Sequence, residues 1–105
     1  MIKILKDVSK IAVEQLANKN QFVITYENEQ KQKLICFQSY KTLIVIYNQS
    51  TKELYINYHY WDYSKTTMKH LKIFINTYTI YGYDNKKQFA DFIASTSNEK
   101  IKLFE

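Results

Sequence analysis

Few side chains in this sequence have the types and spacing that catalysis needs. The histidines are His59 and His70, the thiol is Cys36, and an acid, Asp62, lies between the two histidines. A strand-to-helix corner could bring His59, Asp62 and His70 together as a metal site or a His–Asp general base. The simpler reading makes His59 one polar position on a half-exposed strand and places His70 beside an apolar helical stripe. Cys36 alternates in register with Leu34, which suits a small buried hydrophobe better than a nucleophile. A phosphate-cradling loop needs several glycines so that backbone N–H groups can converge on the anion, and the chain has only Gly82. Nucleotide-loop enzymes are therefore excluded. The expectation is a protein without catalytic residues, metal or cofactor, and hence not an enzyme.

Binding chemistry is better represented. Lys65, Lys69, Lys72 and Asn76 fall at i, i+4, i+7 and i+11 of a helical pattern, so they project from one side, away from the seam of Met68, Leu71 and Ile75. Phosphate oxygens would suit that side. Like charges at this spacing repel by only a few tenths of a kcal/mol per pair, so an ordinary wet face in a lysine-rich chain also accounts for them. Tyr55, Asn57, His59 and Trp61 share one face of the strand expected before this helix. Bases stack on such rings for roughly 1–3 kcal/mol each, although Tyr and Trp are also strand formers and core fillers. The candidate contacts for a partner or a nucleic acid are Lys65, Lys69, Lys72, His70, Asn76, Tyr55 and Trp61.

These residues need a frame. Ile4, Val8, Ile11, Ala12 and Leu16 recur at helical spacing and predict a first helix ending near Asn18 to Asn20. From Phe22 the period changes to two, giving strands over Phe22–Glu27, Leu34–Tyr40, Thr42–Tyr47 and Glu53–Trp61. Leu43-Ile44-Val45-Ile46 is apolar on both faces, so the third of these is central. Only short connections separate the runs, among them Asn48-Gln49-Ser50-Thr51-Lys52, and short connections favour antiparallel pairing. Ser64 then caps a helix with Met68, Leu71, Phe74, Ile75 and Tyr78 on one side, and Asp62 adds negative charge at its positive end. That helix ends between Asn76 and Tyr81, where Gly82 is a left-handed cap or a loop residue. Asp84 caps a shorter helix with Phe89, Phe92 and Ile93 inward, and Ile101–Glu105 can add an edge strand. The expected fold is α+β, a four-stranded antiparallel meander packed against helices in the order α-β-β-β-β-α-α.

Composition bounds the rest. A chain of 105 residues supports one modest core and a single domain spanning 1–105. Its hydrophobic content of 46% and net charge of +5 rule out a disordered chain. Every basic residue is Lys, a bias that resembles A/T-rich coding and weakens arguments from lysine number alone. One cysteine cannot close an internal disulfide, and neither a signal-peptide core nor a membrane-spanning run is present, so the expected location is the cytoplasm.

The segment Trp61-Asp62-Tyr63-Ser64-Lys65-Thr66-Thr67-Met68-Lys69-His70-Leu71 resembles a Trp-(Asn/Asp)-Tyr-Ser-Lys-Thr-Thr-x-Lys-His-Leu signature. That signature belongs to a family of small uncharacterised proteins encoded by phages and other mobile elements of Gram-positive bacteria. A looser likeness extends from Phe22 to Phe74. The resemblance brings no catalytic residues with it. It implies a counter-defence factor, an anti-CRISPR-like inhibitor that blocks a bacterial nuclease complex, or its nucleic-acid-bound form, sterically in the host cytoplasm. The alternative is a small basic accessory protein that binds nucleic acid directly. Acidic imitation of DNA is disfavoured by the charge of +5.

Overall fold

The computed structural model describes residues 8–15, 20–95 and 99–104, the first of these through its backbone pairing. In chain order the elements are β1 (Val8–Gln15), β2 (Gln21–Asn28), β3 (Lys33–Ser39), β4 (Thr42–Asn48), β5 (Leu54–Asn57), α1 (Lys65–Tyr78), α2 (Lys86–Ala94) and β6 (Ile101–Phe104). The strands form one sheet in the order β1-β2-β3-β4-β5-β6. Neighbours from β1 to β5 run antiparallel, and β6 lies parallel to β5. The class is α+β, as the alternation of periods two and 3.6 predicts.

The first element corrects the sequence reading. Residues 8–15 form a strand rather than part of a helix, with Ile11 opposite Tyr26 and Val13 opposite Ile24. The rest of the expected helix, residues 4–7 and 16–19, lies outside the described residues. Val8, Ile11 and Val13 are β-branched and favour extended backbone. A strand here also satisfies the backbone groups along the free side of β2, which a helix would leave bare.

Three of the four remaining expected strands hold in position and the fourth is cut short; the four pair antiparallel in sequence order, as expected, but within a six-stranded sheet rather than a four-stranded one. β3 and β4 are the middle strands, and Ile44, Val45, Ile46 and Tyr47 in β4 are all buried. Two turns use the same device. Asn28 Oδ1 accepts from the backbone N–H of Gln30 and Gln32, and Asn48 Oδ1 accepts from those of Ser50 and Thr51. These Asx turns leave Lys31 and Lys52 at φ of 66° and 67°. β5 is shorter than expected. The Asn57 carbonyl accepts from Tyr60 and Trp61, while its side chain donates to the Leu43 carbonyl and accepts from the His59 N–H, so the chain turns out of the sheet there.

Both helices cover one face of the sheet. Val23, Ile35, Phe37, Val45, Tyr47, Leu54 and Ile56 meet Leu71, Phe74 and Ile75 of α1 and Phe89 of α2 in one cluster. The Phe37 and Phe74 rings stack at 5.8 Å, and Trp61 meets Phe89 edge to face at 5.3 Å. The opposite face holds a second cluster of Tyr26, Leu34, Cys36 and Ile46, with Ile24, Leu43, Tyr55 and Phe104 around it. Burial there pushes the Cys36 thiol up to about 12, the Tyr26 neighbour working the other way, so the thiol is a core group. Among the described residues, no helix is long and apolar enough to cross a membrane.

Candidate functional site

The first turn of α1 is where the sequence motif and the geometry meet. Ser64 caps the helix, its Oγ accepting from the Thr67 N–H at 3.1 Å. From there Thr67, His70, Leu71, Phe74 and Ile75 turn inward. At roughly 100° per residue the positions of Lys65, Lys69, Lys72 and Asn76 cover about 60° of arc on the outer side. All four are exposed.

The ridge borders a groove of about 250 Å³, to which Lys65, Lys69, Lys72 and, from the start of α2, Lys86 contribute. Trp61, Met68 and Tyr83 supply its apolar lining. Among the described residues no carboxylate lines it; Asp62 stands outside, 3.9 Å from Lys86 Nζ. The floor is held from behind by Phe89, wholly buried, whose ring stacks on Tyr83 at 4.3 Å and meets Trp61. The groove therefore presents ammonium groups around a rigid apolar strip. That arrangement can accept an anionic surface, and it is too small and open to enclose a substrate.

The other sequence candidates separate. Asn76 is exposed but committed: its Oδ1 accepts from the Tyr83 N–H at 2.7 Å and its Nδ2 donates to the Tyr83 carbonyl at 2.9 Å. It clamps the loop that positions Tyr83. This clamp also explains the single glycine, because a Cβ at Gly82 would lie 2.6 Å from Asn76 Oδ1. Gly82 has no positive φ, so close approach rather than a left-handed cap requires it. His70 is 9% exposed and belongs to the packing seam, not the ridge. Its pKa is lowered, first by burial and then by the neighbouring Lys69 charge.

Tyr55 and Trp61 do not share a platform. Tyr55 packs with the second cluster on the helix-free face, whereas Trp61 is buried in the first cluster and offers the groove only the small part of its surface that stays exposed. The expected Tyr55–Asn57–His59–Trp61 face is lost because β5 stops at Asn57. His59 is exposed in the turn after it, against the ring of Tyr58. With Asp62 beside Lys86 and His70 in the seam, the imagined His–Asp–His site is not assembled, and no group of three His, Cys, Asp or Glu among the described residues could hold a metal.

Sequence reasoning missed three things. Lys86 and Tyr83 join the groove from a loop and a second helix, outside the period of α1. On the other side of the first turn of α1 lies a larger cleft of about 810 Å³, bordered by Tyr40, Tyr60 and Tyr63. The tyrosine richness of the chain was a signal, but nothing in the spacing joins residues 40 and 60.

The fold and groove together define a class: a small α+β protein presenting a cation-rimmed surface on one helix. A family model described as "Family of unknown function (DUF8033)" matches residues 11–91, and the chain belongs to that family. No curated protein and no solved structure matches.

Proposed function

We propose that the chain is a non-enzymatic binding protein that docks on an anionic surface through its lysine-rimmed groove. The carrying observation is the convergence of Lys65, Lys69, Lys72 and Lys86 on one apolar strip. The setting we propose is the bacterial cytoplasm during infection or transfer of a mobile element. There the protein acts as a counter-defence inhibitor of anti-CRISPR type, and its target is a defence nuclease in its nucleic-acid-bound form, blocked sterically. The resemblance of residues 61–71 supports the setting, and the net charge of +5 supports an acidic or nucleic-acid-bearing target over imitation of DNA.

A second reading is direct nucleic-acid binding, favoured by the Tyr83 ring lying among the four cations. Salt separates the two. For duplex binding each lysine on a phosphate adds about 0.9 to the slope of log affinity against log salt. Lys65→Gln/Lys69→Gln/Lys72→Gln should then lower that slope by up to about three. The measurement is fluorescence anisotropy on labelled single- and double-stranded DNA, beside affinity capture from a bacterial host with and without nuclease treatment. Capture of a nuclease complex that is lost with the triple variant supports the inhibitor reading. Unchanged capture and unchanged DNA affinity in the triple variant reject both.

A further inference from the structure

The cleft on the other side of the first turn of α1 has the chemistry of a ligand site independent of the lysine groove. We propose that it binds a planar nucleobase carrying a phosphate, with the ring among Tyr40, Tyr60 and Tyr63 and the phosphate at Lys41. Its volume of about 810 Å³ lies within the span of roughly 300–1,000 Å³ that small-molecule sites occupy.

Four aromatic residues line the cleft. Phe22 enters from β2, Tyr40 from the β3–β4 hairpin, and Tyr60 and Tyr63 from the turn before α1. Tyr60 and Tyr63 stand 5.8 Å apart at 42°, and the three tyrosines are 46%, 41% and 71% exposed, so their ring faces are accessible rather than spent on the core. Between the rings stand the polar side chains of Asn20, Ser39, Lys41, Thr42, Ser64 and Thr67. Ser39 Oγ lies 2.9 Å from Thr67 Oγ1, which accepts from Ser64 Oγ at 3.0 Å, forming a chain of hydroxyls between sheet and helix. Across the ladder from Ser39 stands Gln21, wholly buried, with neither end of its amide hydrogen bonded.

Charge selects the occupant. Lys41 is the one charged residue among the described residues lining the cleft, and it makes no ion pair among them. Lys41 is exposed, so a ring bearing a phosphate would gain a charge-assisted contact there that a neutral ring could not.

Tyr40 adds an independent reason. Its φ of 56° lies in the left-handed region, where Gly or Asn is at ease and a bulky side chain is an outlier. The backbone is pinned there, the Tyr40 N–H donating to the Asn20 carbonyl at 2.6 Å and the Tyr40 carbonyl accepting from Gln38 Nε2 at 2.9 Å. A half-exposed ring at a strained position returns little packing to the fold. Strain of this kind collects at ligand sites.

The test is calorimetry on the full chain with uridine and adenosine monophosphate, the corresponding nucleosides, inorganic phosphate and a ten-nucleotide oligothymidylate. The expected result is binding of a monophosphate, weakened about tenfold by Tyr63→Ala and by Lys41→Gln, with the nucleoside insensitive to Lys41→Gln. Tyr40→Asn should lose binding while its Tm stays equal or rises, a pattern that loss of fold cannot produce. Lys65→Gln/Lys69→Gln/Lys72→Gln should leave monophosphate binding intact, so failure of the groove reading and failure of this one are told apart. Tyrosine-dependent binding of the oligothymidylate alone would identify a polymer as the source of the base. The proposal is overturned if no probe binds at millimolar concentration, if phosphate alone binds as well as the nucleotide, or if Tyr63→Ala and Tyr40→Asn bind like the parent.

Discussion

The two concavities that flank the first turn of α1 are built in opposite ways. The lysine groove takes most of its rim from one face of one helix, and each lysine is exposed and replaceable. The tyrosine cleft draws on three segments brought together by sheet register, and its base is tied into the fold by the Ser39–Thr67 bond. A helical ridge costs the fold little and tolerates change, since surface substitutions usually move stability by no more than about 0.5 kcal/mol. A composite cleft constrains the backbone that carries it, as Tyr40 shows.

The largest effect that would separate the two is expected from Phe89→Ala. That ring is wholly buried behind Trp61 and Tyr83, and its removal should cost about 3–5 kcal/mol in urea unfolding. In the folded fraction, NMR shifts should move around Trp61 and Tyr83 and stay put around Tyr40 and Ser39. Movement at both sites would mean that they are one mechanical unit.

Thr67→Val comes next and acts on the other side. It leaves the Ser39 hydroxyl, in a residue 2% exposed, without its partner and frees the Ser64 hydroxyl, for a cost of about 1–3 kcal/mol. A stability equal to the parent would show that the hydroxyl chain does not hold the cleft.

Gly82→Ala should cost about 1 kcal/mol, because the new methyl displaces Asn76 from the Tyr83 backbone. It should loosen the lysine groove alone, seen as faster amide exchange at Tyr83. Gly82→Ala/Asn76→Ala should be no less stable than Asn76→Ala, since the clash is then gone.

The smallest effect lies on the inward side of α1, at His70. Its folded pKa is below the ordinary 6.5, so the unfolded chain takes up a proton first as pH falls. The contribution to stability is complete above about pH 7 and is lost as pH drops through 6.5 toward the folded pKa. His70→Gln should flatten that part of a stability-against-pH curve; an unchanged slope would place the proton uptake elsewhere.

What the sequence discloses follows from periodicity. Residues 65–78 carry an unambiguous period of 3.6 with a capping serine, so α1 and its cationic side can be read directly. Residues 8–15 satisfy both a helical and a strand pattern, and β-branching together with the bare side of β2 decides between them. The alternating Leu54, Ile56, Tyr58 and Tyr60 look like one strand, yet Asn57 uses its backbone and side chain together to end it. Asp84 is a plausible cap for α2, but Asn85 takes the role, its Oδ1 accepting from the Gln88 N–H while Gln88 Oε1 accepts from Asp84. Tyr40, Tyr60 and Tyr63 could not be joined without knowing the hairpin register.

The parallel alignment of β6 beside β5 bears on biosynthesis. Every earlier strand can zip to its predecessor as it leaves the ribosome, whereas Leu54–Asn57 must wait, one flank unclaimed, until both helices and residues 101–104 have followed. Through that interval the nascent polypeptide offers a short adhesive border, and rapid docking of α1 would shield it from neighbouring chains on the same message.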